Sequence, residues 1–332
     1  MRMYCKKSDY SGTLMLSYTA ESEYITPGVH YFLKDGVVAE SNLDSALQEK
    51  INENLTDKTI VFMGDSIIGN FNDSTGICAI LADKTGATVI NCAFGGTRMA
   101  YEHSNYGDAT PTATGYNPGT SASEQNQVNQ YRYWNTLSGV GLADAIASGT
   151  WTAQDTAVAN MSSGLDYFAG RLATLKAVDW SYVDFVMWEY GTNDFMSRVV
   201  LSDTNDTTNL FAYDNAYRHV VETILTAYPN IRIISVTPIY RWYQSGGVFT
   251  EDSNTHTEND YNGVSNKLTD FVAKAEEISH SYQLPCIDDY YTLGANRYTR
   301  LAYFDSTDGL HPNANGRLRI ADHVSAQLRS LM

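Results

Sequence analysis

The sequence predicts a three-layer α/β/α domain on a mainly parallel sheet, preceded by a small N-terminal appendage. Two observations carry that prediction. From residue 57 onward, compact apolar runs alternate with stretches of helical periodicity, the pattern of repeated βαβ units. The runs are apolar on both faces, as strands covered by helices on either side must be.

Residues 1–56 form the first unit. Gly12, Pro27-Gly28 and Asp35-Gly36 punctuate short Tyr/Thr/Val-rich runs that read as strands and turns. Leu43, Ala46, Leu47, Ile51 and Leu55 then recur at helical spacing behind a cap at Ser41 or Asn42. So short a unit has little core of its own and reads either as an arm on the main domain or as an attachment module. In the main domain, residues 57–332, strands are expected at Thr59–Met63, Thr88–Asn91, Val183–Glu189, Ile231–Thr237 and Pro285–Ile287. Helices are expected near Thr75–Lys84, Leu165–Val178, Tyr213–Tyr228, Asp260–Tyr282 and from about Asn313 to Leu331, where Leu318, Ala321, Val324 and Leu328 share one face. Residues 97–160 are rich in Gly, Thr, Asn, Ser and aromatics with weak periodicity, and read as a long insertion on one rim of the sheet. A shorter one spans 240–260. Long loops in a compact domain are more often functional than decorative.

Composition narrows the function. The chain has 332 residues with 22 Lys and Arg against 38 Asp and Glu, a formal net charge of −16, which disfavours non-specific binding to nucleic acid or an anionic membrane. No run approaches the ~18 apolar residues of a membrane span. MRMYCKKSDYSG contains no apolar signal-peptide core, so synthesis in the cytoplasm is expected, with action outside the cell or on a virion left open. Cys5, Cys78, Cys92 and Cys286 are scattered, without zinc spacing, and read as thiols without catalytic duty.

Four polar clusters fall at strand ends or at the entry to a helix, where such a sheet presents its ligands. They are Gly64-Asp65-Ser66, Asn91 through Gly95-Gly96-Thr97, Gly191-Thr192-Asn193-Asp194, and Asp308-Gly309-Leu310-His311. Together they supply a serine nucleophile, an imidazole base, a carboxylate to orient it and donors for an oxyanion, the inventory for acyl transfer. No Gly-x-Ser-x-Gly elbow is present, which disfavours an α/β-hydrolase. His30, His103, His219, His256, His280 and His323 lack a motif and read as surface or hydrogen-bonded residues.

In order and spacing these clusters resemble the four blocks of the SGNH or GDSL hydrolases, over about residues 57–332. The resemblance implies a flavodoxin-like parallel sheet of about five strands. It makes Ser66 the nucleophile, His311 the general base and Asp308 the group that holds the imidazole. The oxyanion donors it implies are the Ser66 backbone N–H, a second-block glycine N–H and the Asn193 amide. Gly95 and Gly96 are adjacent, and counting from Asn91 favours Gly96, leaving Asp65 and Gly95 to line the substrate pocket. No metal or organic cofactor is needed.

Tyr101, Tyr106, Tyr116, Tyr131, Tyr133, Trp134 and Trp151 crowd the long insertion, either packing it or offering sugar-stacking faces. Trp242 and Tyr243 in the shorter insertion carry the same two readings. The function expected is a serine esterase that removes a short acyl group, foremost acetyl, from a carbohydrate. The enzyme alternative is a lipase or thioesterase, which would want a long apolar groove. A further alternative is a phage tail-associated glycan-binding or deacetylating protein, because Val38–Asn52 resembles the linking helices of tail proteins. That alternative would favour a homo-oligomer assembled through residues 1–56.

Overall fold

In the computed structural model of the protein, residues 5–7, 14–16, 55–113, 121–161 and 166–331 are described. The chain divides into two units, Met1–Leu55 and Thr56–Met332. In the first, Cys5–Lys7 and Leu14–Leu16 pair antiparallel, with Cys5 opposite Leu16. The helix expected around Leu43–Ile51, the turns at Gly12, Pro27-Gly28 and Asp35-Gly36, and the Val38–Asn52 segment lie outside the described residues.

The second unit is built on one parallel sheet. Its strands are Thr59–Gly64 (β1), Thr88–Asn91 (β2), Phe185–Glu189 (β3), Arg232–Val236 (β4) and Cys286–Ile287 (β5), in the order β5-β4-β3-β1-β2. Val61 stands opposite Ile90 on one side and Val186 on the other. From β1 the chain moves outward to β2 and then returns to β3 on β1's other flank. Connections leaving β1 and β3 therefore diverge and open a crevice at their carboxyl ends, the ligand position of this topology.

Among the described residues, eight longer helices accompany the sheet: Ile77–Thr85 (α1), Ala122–Thr136 (α2), Gly139–Ser148 (α3), Thr152–Asn160 (α4), Tyr167–Lys176 (α5), Tyr213–Ala227 (α6), Leu268–Ser281 (α7) and Ala314–Ser330 (α8). Alternation along each strand divides the core in two. Val61, Met63, Val186, Trp188 and Ile233 join Leu142, Val220, Ile224 and Phe271 of α3, α6 and α7 in one cluster. Ile60, Phe62, Phe185, Met187 and Ile234 are buried outside it. Leu81 of α1 and Ile320, Val324 and Leu328 of α8 are likewise buried there, and these two helices pack together. Burying a side chain of this size contributes roughly 1.5–3 kcal/mol, so the central strands anchor whatever is attached to their ends.

Three segments differ from expectation. The described part of residues 97–160 carries three helices, α2, α3 and α4, where the sequence shows only weak periodicity. Helix α2 buries only Val128, Asn135 and Thr136, so it shows no apolar stripe. Its start is instead marked by a capping box, in which Ser121 Oγ accepts the Glu124 N–H and the Glu124 carboxylate accepts the Ser121 N–H. The helix expected from Asp260 begins only at Leu268. The Asp260 carboxylate accepts the Asn262 and Val264 N–H groups, each at 2.9 Å, and the Asn266 amide at 3.1 Å, which folds 260–266 into a turn. Within 240–260, Trp242–Ser245 and Val248–Asp252 form a hairpin. Its loop is Gly246-Gly247, both at positive φ as a tight hairpin turn requires.

Candidate active site

β1 ends in Gly64, where an added Cβ would stand 2.7 Å from the Glu189 carbonyl oxygen of β3. The chain then turns into a short helix, Ser66–Gly69. Asp65 caps it, its Oδ1 accepting the Ile67 N–H at 2.9 Å, which sets Ser66 at the helix start in the crevice between β1 and β3. From the far end of the chain, His311 Nε2 lies 2.8 Å from Ser66 Oγ. His311 Nδ1 lies 2.6 Å from Asp308 Oδ2, while Asp308 Oδ1 accepts the N–H groups of Leu310 at 2.8 Å and His311 at 3.0 Å. With Nδ1 donating to the carboxylate, Nε2 is left as the acceptor for the Ser66 proton. Burial raises the pKa of Asp308, but the His311 bond and the two N–H groups outweigh it and hold the carboxyl below its ordinary range.

A hydrogen-bonded network joins the loops beneath the serine. Asn193 Nδ2 donates to Asp65 Oδ2 and to the Thr97 carbonyl, each at 3.0 Å. The Asp194 carboxylate accepts the Met99 and Ala100 N–H groups, each at 2.9 Å. The loop after β3 is thereby tied to the loops after β1 and β2. Burial pushes Asp65 up to about 7 and Asp194 up to about 6, each against N–H bonds that pull it down. Glu189 is also buried, and burial followed by the neighbouring Asp65 and Asp289 charges raises it well above its ordinary value.

Of the two adjacent glycines, the structure brings Gly95 rather than Gly96 against the serine. A Cβ on Gly95 would stand 3.5 Å from Ser66 Cβ, 3.1 Å from Asn70 Oδ1 and 2.6 Å from the Tyr167 hydroxyl. Gly96, at φ +79°, turns away, and a Cβ there would stand 3.1 Å from the ring of Trp134. Counting from Asn91 misses this because the turn reverses the chain between the two residues. The Gly95 N–H donates to the Tyr167 hydroxyl at 2.8 Å.

The aromatic candidates separate. Trp242 is only 2% exposed, so its ring is not an open platform. Its backbone instead serves the site: the Trp242 N–H donates to the Gly309 carbonyl at 2.9 Å, and Gln244 Nε2 to the Thr307 carbonyl at 2.9 Å. Tyr243 is half-buried, stacked on His256 at 3.8 Å and covered by the Arg241 guanidinium at 4.9 Å. Trp151 precedes α4 and packs against the core, whereas half-buried Trp134 walls the second-block turn at Gly96. Tyr116 and His30 lie outside the described residues.

Two arginines here have no motif to announce them. Arg171 donates to the Gly69 and Asn91 carbonyls and, at 3.2 Å, to Asn72 Oδ1, binding together the loops after β1 and β2. Arg241 is 7% exposed and lies near the charges of Asp308 and Asp65. Cys78 and Cys92 are buried, and burial pushes the Cys92 thiol up to about 12. A second Asp–His pair, Asp289 with His323, ends on Thr292 Oγ1 at 2.9 Å, but that hydroxyl already donates to the Asp288 carbonyl. Among the described residues no group of three His, Cys, Asp or Glu could hold a metal, and no helix is long and apolar enough to cross a membrane.

No curated protein matches the chain. Among solved structures, a Lactobacillus plantarum protein is 18% identical with a TM-score of 0.51, over 83% of this chain and 98% of that one. A possible lipase from Chitinophaga pinensis is 17% identical, TM-score 0.47, over 82% and 98%. A carbohydrate acetylesterase from Sinorhizobium meliloti is 13% identical, TM-score 0.44, over 83% and 100%. At 18% identity the likeness to the Lactobacillus plantarum protein is one of fold alone. The GDSL-like lipase/acylhydrolase family matches residues 112–318, a stretch that holds Asn193, Asp308 and His311 and begins after Ser66. A match over more than half of the chain makes this protein a member of the GDSL-like lipase/acylhydrolase family.

Proposed function

We propose that the protein is a serine esterase that removes short acyl groups, foremost acetyl, from a carbohydrate. The observation that carries the reading is the relay from Asp308 Oδ2 through His311 to Ser66 Oγ, with bonds of 2.6 and 2.8 Å. Ser66 Oγ attacks the ester carbonyl while His311 Nε2 takes its proton. The tetrahedral oxyanion then collapses, the alcohol leaves with that proton, and an acyl-Ser66 ester remains. Water, deprotonated by the same imidazole, attacks the acyl carbon and returns Ser66 to its free form. Asp308 holds the tautomer and the positive imidazolium without taking the proton. The Ser66 N–H and the Asn193 amide are the expected oxyanion donors; before an ester binds, the Asn193 amide gives its two N–H groups to Asp65 Oδ2 and the Thr97 carbonyl.

The short-acyl preference is supported by the Tyr-, Asn- and Thr-rich composition of the insertions, which advertises no long apolar groove. The sugar preference is supported by the half-buried ring of Trp134 beside the second-block turn and by the polar composition of the insertions.

The test is hydrolysis of p-nitrophenyl acetate, butyrate and octanoate, with acetate release from acetylated xylan, by wild type and Ser66→Ala. Turnover of acetate esters that disappears in Ser66→Ala, together with acetate from the glycan, is the expected result. A preference for octanoate would move the substrate to lipids, and hydrolysis that survives Ser66→Ala would overturn the reading.

A further inference from the structure

We propose that the Tyr167 hydroxyl is itself a donor in the oxyanion hole, relaying the Gly95 N–H to the acyl oxygen; this rests on the esterase reading above. The N–H of Gly95, the second-block glycine that packs against Ser66, is already given to Tyr167 at 2.8 Å. An acyl oxygen could use that N–H directly only by displacing the phenol. The phenol is held in place: its ring meets Phe168 edge-on at 4.9 Å and lies 5.7 Å from the Arg171 guanidinium. Arg171 in turn is buried and bonded to the Gly69 and Asn91 carbonyls, which fixes it to the loops that carry Ser66 and Gly95.

A tyrosine hydroxyl that accepts one hydrogen bond still has a proton to donate. Among the described residues, the Tyr167 proton is given to no other group. Gly95 admits the hydroxyl because it lacks a Cβ, which would stand 2.6 Å from it and 3.5 Å from Ser66 Cβ. The phenol oxygen and the serine side chain thus border the same small space. Accepting from Gly95 polarises the O–H and strengthens it as a donor. Burial raises the phenol's pKa against the opposing pull of the Gly95 N–H, so the proton is in place at neutral pH.

Steady-state hydrolysis of p-nitrophenyl acetate by the full chain tests this, with Tyr167→Phe, Gly95→Ala, the double variant and Ser66→Ala compared with wild type. Tyr167→Phe keeps the ring contacts with Phe168 and Arg171, so its thermal unfolding should match wild type. The expected result is a fall in kcat on the order of 100-fold with little change in KM, the size of a lost oxyanion donor. Butylboronic acid, which forms a tetrahedral adduct on the serine oxygen, should bind Tyr167→Phe more weakly by a similar factor, a readout that a merely structural tyrosine would not move. Gly95→Ala displaces the same hydroxyl, so the double variant should fall little further than either single one. Unchanged kcat in Tyr167→Phe would overturn the proposal, and a rise would make the phenol a stopper instead. Activity retained by Ser66→Ala would instead signal failure of the esterase reading itself.

Discussion

Asp308 shows how much one side chain does from a half-exposed position. Its carboxylate accepts from the imidazole and from two backbone N–H groups, so it is kept ionised and aimed at Nδ1. Asp308→Asn would present an amide that also fits the wrong tautomer, and kcat should fall by up to about 10⁴-fold. Kinetics on p-nitrophenyl acetate would show it, and a loss of only a few-fold would contradict the assigned role. Ser66, Asp308 and His311 were legible in the sequence because each stands in a short motif with a chemical reason. Tyr167, Arg171 and Arg241 were not, because their partners are backbone groups and charges brought close only by folding. Trp242 misleads for the opposite reason: an indole in a polar insertion suggests a sugar face, while its useful contact is a backbone N–H.

At the scale of elements, the hairpin Trp242–Ser245/Val248–Asp252 clamps the loop that bears His311. Gly309 sits at φ +68°, and a Cβ there would come within 2.3 Å of the Trp242 carbonyl oxygen. Gly309→Ala should cost at least ~1–2 kcal/mol from backbone conformation alone. It should also lower kcat by displacing the imidazole; urea unfolding and kinetics check the two effects. Helix α8 begins directly behind this loop with Asn313 as its cap, accepting the Gly316 N–H at 3.0 Å, and Asn313→Ala should cost ~1 kcal/mol in the same unfolding assay. The sheet strands were legible because burial on both faces leaves continuous apolar runs. Helix α2 was not, because it lies across other helices and buries polar Asn135 and Thr136 rather than an apolar stripe. The Ser121–Glu124 capping pair was the sequence signal that could have revealed it.

For the whole molecule, the buried carboxyls beneath the site set how stability follows pH. Asp65 titrates at about 7, Asp194 at about 6 and Glu189 well above its ordinary value, whereas in the unfolded chain all three return to roughly 4. Over that interval the native state binds more protons than the unfolded state, so stability falls as pH rises. The contribution is fully present below about pH 4 and is lost as pH passes through about 6 to 7. Self-repulsion from a net charge of −16 acts in the same direction. The urea midpoint should therefore decline from about pH 5 to about pH 8. Asp65→Asn should flatten that decline, and a midpoint that rises over the interval would contradict the account. These carboxyls form the floor beneath Ser66, the residue proposed as the nucleophile. The most direct measurement of that claim is intact-mass and peptide-mapping analysis of the full chain quenched early in its reaction with p-nitrophenyl acetate. An acetyl adduct on Ser66 in the wild type, absent from Ser66→Ala, is predicted; an unmodified protein that still turns over, or an adduct on another residue, would contradict it.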